Sequence, residues 1–91
     1  MFHKVKAVQA MPNDCLKVQF VEGITKIYDV QPLFEKWPPF EALKKDRELF
    51  SKVKVAPGGY GVVWNEDLDL SCDELFEFGR EIKSPSGEMN S

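Results

Sequence analysis

Between two stretches that alternate like β-strands, residues 29–50 carry a helical period that proline interrupts three times, at Pro32, Pro38 and Pro39. Proline has no backbone N–H and its ring clashes with the preceding turn, so a helix tolerates it only at its start. Pro32 suits that position, and Pro38 and Pro39 end whatever helix it begins. Pro39 can open a second turn through Phe40-Glu41-Ala42-Leu43. Asp46 is a good N-cap for a third piece, Arg47-Glu48-Leu49-Phe50. Isolated helices below about 12–15 residues are marginal in water, so these pieces must be held by packing. Leu33, Phe34, Phe40, Leu43, Leu49 and Phe50 are the apolar set available for it. Each, if buried, contributes about 1.5–3 kcal/mol.

The flanks supply a surface to pack on. Residues 4–10 read as a first strand, with a bulge expected where Val8 breaks the alternation. Met11-Pro12-Asn13-Asp14 is turn chemistry. In residues 15–20, Leu16, Val18 and Phe20 point one way and Cys15, Lys17 and Gln19 the other, the period of a sheet with one wet face. Glu22-Gly23 turns the chain into residues 24–30, rich in β-branched and aromatic side chains, so 15–30 form a β-hairpin. Past the midsection, residues 52–56 alternate, Pro57-Gly58-Gly59 turns, and Tyr60-Gly61-Val62-Val63-Trp64 returns as a second hairpin. Asn65-Glu66-Asp67 ends it.

Ser71-Cys72-Asp73-Glu74 has the form of a capping box, with Leu70 and Leu75 placed as a hydrophobic staple. It predicts a helix over about 72–78, capped by Gly79. No long crossover helix separates the strands, so a parallel sheet is not expected. The fold class is α+β: a small, mainly antiparallel sheet of two hairpins plus an N-terminal strand, covered by short helices, with a C-terminal helix. Residues 1–83 form one domain, and 84–91 have the composition of a disordered tail.

Composition excludes several function classes. Ninety-one residues suit one domain. The apolar runs are far short of the roughly 20 residues of a membrane span, and the N-terminus has no secretory apolar block, which leaves a cytoplasmic location. Cys15 and Cys72 have neither metal nor redox spacing and read as free thiols, with a disulfide the other pairing the sequence allows. His3 is the one histidine. No enzyme activity and no cofactor are expected. The acids Glu66, Asp67, Asp69, Asp73 and Glu74 lack the glycine turn of a calcium loop and read as a strand end and a helix start, so no metal is expected. Gly58-Gly59-Tyr60-Gly61 lies between strands, whereas a phosphate cradle opens onto a helix.

Charge is uneven. Residues 1–65 hold 10 basic and 7 acidic groups, residues 66–91 hold 2 and 8. Lys44, Lys45, Arg47, Lys52 and Lys54 cluster, which is the requirement for phosphate contact. Asp46 and Glu48 interrupt them, and a solvated basic face is the simpler reading. Two features favour a protein partner. Trp37-Pro38-Pro39-Phe40 sets aromatics in a stiff loop, where Trp37 and Phe40 either anchor a partner or cover the core. The last helix carries Leu75, Phe76, Phe78 and Ile82, more apolar circumference than one core stripe needs, which leaves Phe78 or Ile82 for a contact.

Taken in order, Phe20 with Glu22-Gly23, Tyr28-Asp29-Val30 with Pro32-Leu33, Phe40 with Leu43, Glu48-Leu49-Phe50, Val53-Lys54-Val55, Val63-Trp64 and Asp67-Leu68-Asp69 ending at Leu75 form a pattern. Over roughly residues 4–78 the chain resembles the small bacterial proteins grouped as domain of unknown function 2442. The resemblance implies an α+β fold, no established catalytic activity, and companionship with another small protein in a toxin–antitoxin-like pairing. Some relatives carry a further DNA-binding helical domain. None is expected within these residues, which weakens the case for sequence-specific DNA binding. The leading expectation is a non-enzymatic interaction module, the antitoxin-like or accessory half of a pair, binding another small protein or a second copy of itself. The rival is a nucleic-acid-binding accessory protein using Lys44–Lys54.

Overall fold

A computed structural model describes residues 3–82 of the chain. The boundary expected at 83 and the tail expected over 84–91 lie outside the described residues. Strands β1 (Val5–Met11), β2 (Cys15–Phe20) and β3 (Thr25–Asp29) form an antiparallel meander. Leu16, Val18 and Phe20 of β2 all turn to the core and are fully buried, as their alternation requires. The β1–β2 turn places Asn13 and Asp14 at φ 64° and 61°, a left-handed conformation that these two residue types tolerate best after glycine. Gly23 takes φ 97° in the β2–β3 turn. The bulge in β1 lies between Val5 and Ala7 rather than at Val8, which pairs regularly with Val18.

The proline-broken midsection forms four pieces: α1 (Gln31–Lys36), a 3₁₀ turn over Pro38–Phe40, α2 (Glu41–Lys45) and α3 (Arg47–Ser51). Asp46 caps α3, accepting from the backbone N–H of Leu49 at 3.1 Å. Leu33, Phe40, Leu43 and Phe50 are buried, and Phe34 and Leu49 pack beside them. Phe40 therefore belongs to the core. Its ring meets Trp64 edge-on at 5.9 Å, which removes it from any surface a partner could reach.

Strands β4 (Lys54–Val55), β5 (Gly61–Asn65) and β6 (Leu68–Ser71) make a second antiparallel sheet. β6 was not expected. Residues 66–67 are a tight turn in which Asn65 Oδ1 accepts from the backbone of Asp67 and Leu68 at 2.8 and 3.0 Å. Leu68 and Leu70 of β6 are then buried and Asp69 faces out. A Cβ on Gly61 would stand 2.0 Å from the carbonyl oxygen of Leu70, so glycine is what lets β5 and β6 approach. β1 runs beside β4 and β5, and one apolar core joins both sheets and the helices.

Helix α4 (Cys72–Phe78) starts at Ser71, whose Oγ accepts from the backbone of Glu74 at 3.1 Å. The reciprocal half of the capping box does not form. The Glu74 carboxylate instead accepts a 2.7 Å hydrogen bond from the Tyr28 hydroxyl on β3. A buried phenol requires a partner, and this one is supplied from 46 residues away. Residues 80–82 are a further correction. They leave the helix as β7 (Arg80–Ile82), which pairs antiparallel with β3 and completes the sheet order β1-β2-β3-β7. Ile82 is thus a strand residue opposite Thr25, not part of the last helix.

Two measurements check this packing. Leu43→Ala, at a site with no exposed area, should lower unfolding free energy by about 2–5 kcal/mol in urea titration. Burial first, and then the hydrogen bond to Glu74, raise the Tyr28 pKa above that of an ordinary tyrosine. The stability it contributes is complete below the unfolded tyrosine value of about 10 and is lost as pH climbs beyond it. Tyr28→Phe should therefore flatten the alkaline decline of the urea midpoint while costing about 1–2 kcal/mol at neutral pH.

Candidate interaction groove between the first and last helices

On α4, Cys72 and Leu75 face the core. Phe76 sits on one flank, edge-on to Phe20 at 5.2 Å and stacked on His3 at 3.5 Å. Lys26 covers the same ring, 3.9 Å from its centroid, and donates to the Phe76 carbonyl. Glu74 and Phe78 are four positions apart and share the opposite flank. Phe78 remains 67% exposed. That flank faces α1 across a groove of about 250 Å³ lined by Tyr28, Asp29, Pro32, Leu33, Lys36, Glu74 and Phe78.

The groove's parts have separate origins. Pro32 and Leu33 come from the start of α1, whose register is set by its own proline. Tyr28 comes from β3, oriented by its bond to Glu74. Asp29 is held by the backbone N–H of Gln31, which donates to its Oδ1 at 3.0 Å. Among the described residues the ion pairs are His3–Glu22, Lys45–Glu41 and Arg47–Asp14, so neither Asp29 nor Glu74 is neutralised by one. The groove offers two aromatic side chains, a short apolar wall, two carboxylates and the Lys36 ammonium.

Residues marked by the sequence fall in different places. Trp37 is 39% exposed at the corner after α1, its ring 5.8 Å from Phe40 and 5.9 Å from the Lys36 ammonium. Lys36 thus links Trp37 to the groove that Phe78 lines. Ile82 lies apart, with Ala7, Lys17 and Ile27, in the register of the sheet face that turns away from the core. The five basic residues are all exposed, but two of them are spoken for. Arg47 pairs with Asp14 at 2.5 Å, donates to the Leu43 carbonyl at 3.0 Å and lies 4.8 Å from the Phe50 ring. Lys45 is 3.9 Å from Glu41. Lys44 shares a surface hollow with Asp14 and Glu35. Lys52 follows α3, and Lys54 stands opposite Val63.

Sequence reading missed two residues that organise this region. Glu74 was assigned to its own helix cap, and only its distance in space from Tyr28 shows otherwise. Asp14 reads as a turn residue, yet its side chain accepts from Gln31 Nε2 at 3.1 Å and forms an ion pair with Arg47, and its backbone carbonyl accepts from Val30 at 2.9 Å. It pins the β1–β2 turn to α1 and α3. A carboxylate in a turn carries no local mark of such contacts.

Both cysteines are free. Burial, followed by Asp29 and Asp14, raises the Cys15 pKa, and burial, followed by Asp73, raises that of Cys72. Both shifts disfavour the thiolate that would attack or ligate. Among the described residues, no three His, Cys, Asp or Glu side chains are placed to hold a metal ion. No described helix is long and apolar enough to cross a membrane.

Comparison with known proteins bears on the fold and the family. No curated protein matches the sequence. A crystal structure from Nitrosomonas europaea, of a protein described as "Putative DNA Binding Protein", superposes with a TM-score of 0.71 at 24% identity. The match covers 82% of this chain and 47% of that one, so the present chain spans about half the length of its structural neighbour. Identity at this level establishes a shared fold. The family described as "Protein of unknown function (DUF2442)" matches residues 5–81. That match takes in every described helix, both sheets as far as residue 81 and the groove between α1 and α4, and the chain belongs to the DUF2442 family.

Proposed function

We propose that this domain is a non-enzymatic protein-interaction module, the antitoxin-like or accessory half of a two-protein pair, which docks its partner at the groove between α1 and α4. One observation carries the reading. Phe78 is 67% exposed on a helix whose other apolar residues are buried or packed against the core. It stands beside a concave apolar wall, and buried aromatic anchors in such settings dominate binding energy. Trp37 lies close along the chain, so the face offers a second aromatic at its margin.

The description of the Nitrosomonas europaea neighbour favours a second reading, in which Lys44, Lys45, Arg47, Lys52 and Lys54 contact nucleic acid. Against it stand Asp46 and Glu48, interleaved with those residues, and Asp14 and Glu41, which pair with Arg47 and Lys45. A phosphate-binding stripe relies on cations free to release counterions.

The two readings separate on purification of tagged protein from its native cells, with nuclease and at raised salt. The interaction module should bring down a stoichiometric protein partner that Phe78→Glu loses, with affinity reduced about tenfold or more and an unchanged far-UV circular dichroism spectrum. A partner retained by Phe78→Glu, or nucleic acid alone released by salt, would refute the module.

A further inference from the structure

The charge around the groove indicates what kind of partner it fits. Two carboxylates, Asp29 and Glu74, line the groove beside Phe78, whereas Asp73 and Glu77 line the hollow on the opposite flank of α4 with His3, Lys26 and Phe76. One cation, Lys36, lines the groove with them, and Lys26, on the opposite flank, is committed to the Phe76 carbonyl and ring. The asymmetry is built into the chain, whose residues 66–91 carry 8 acidic and 2 basic groups. Inside the groove, Asp29 and Glu74 each accept one hydrogen bond from a neutral donor, which leaves acceptor positions on both carboxylates.

We infer that the groove takes a basic amphipathic segment of a partner protein. An aliphatic or aromatic side chain of that segment packs on Phe78, Pro32 and Leu33, while an adjacent Arg or Lys reaches Glu74 and Asp29. An acidic segment is repelled by the same carboxylates. A guanidinium suits the site best, because it can bond a carboxylate in two places and lie against an aromatic face at once. Tyr28 has a positioning role here: its hydroxyl holds the Glu74 carboxylate at the groove floor. The inference rests on docking at this groove and adds the chemistry of what docks.

The test is a phage-displayed random peptide library panned on the wild-type domain with counter-selection on Phe78→Glu. Selected peptides are then titrated against wild type, Glu74→Gln and Asp29→Asn. Both amides keep an oxygen acceptor for the Tyr28 hydroxyl and the Gln31 backbone, and circular dichroism confirms that they fold. The expected peptides depend on Phe78 and carry Arg or Lys next to an aliphatic or aromatic residue. Each amide should weaken them by roughly three- to tenfold, and added salt should weaken them further. Phe78-dependent peptides that are neutral or acidic, or indifferent to both amides, would overturn the inference while docking at the groove survives. The absence of any Phe78-dependent peptide would overturn both. A dimer in light scattering that Phe78→Glu returns to monomer would make a second copy the occupant and overturn the basic segment.

Discussion

Residues 31–51 cannot keep their own shape. Prolines and caps divide them into helices of five and six residues and a single 3₁₀ turn, too short to pass the cost of nucleation alone. What holds them is the burial of Leu33, Phe40, Leu43 and Phe50 in the same core as Leu16, Val18 and Phe20 of the meander and Val62 and Trp64 of the second sheet. One polar contact reinforces it. The Trp64 indole donates to the Phe50 carbonyl at 3.1 Å, satisfying a buried N–H and a carbonyl at the end of α3 together. Both sheets depend on this lid as well, since each would otherwise leave one apolar face in water.

The groove is a consequence of how that lid begins and where the chain goes afterwards. α1 stops at Trp37 because Pro38 follows, which leaves its first-turn residues Pro32 and Leu33 facing the space beside β3. α4 arrives there because β6 delivers Ser71 to the correct place for a cap. Tyr28 fills the floor between them and binds Glu74. The core closes with Leu75, and the next residue on the α1 side, Phe78, has nothing left to cover it. An exposed phenylalanine at the rim of a concavity differs from one isolated on a convex surface, because a partner can bury both sides of the contact.

Fold likeness and charge separate here. The domain shares its architecture with a longer protein described as "Putative DNA Binding Protein", but functions reside in sites rather than in folds. Arg47 belongs to the packing of this chain: its stem and guanidinium cover Phe50 and its charge meets Asp14. The groove places two carboxylates, Asp29 and Glu74, beside Phe78, which is 67% exposed.

Local chemistry acts over four or five residues, and that reach marks what the chain's letters determined by themselves. The alternation of Leu16, Val18 and Phe20, the glycine turn at Gly23, the proline breaks, the Asp46 and Ser71 caps and the exposure of Phe78 were all legible, because each depends on neighbours along the backbone. Contacts across the chain were not. The partition into two sheets, the recruitment of Leu68–Ser71 and Arg80–Ile82 as strands, the transfer of Glu74 from its own cap to Tyr28 and the burial of Phe40 were decided by tertiary structure. A three-residue strand such as β7 exists only because β3 offers an edge to pair with, and no property of Arg80, Glu81 and Ile82 alone announces that edge. The groove was illegible for the same reason: its walls stand some forty residues apart in sequence and meet only when the core closes between them.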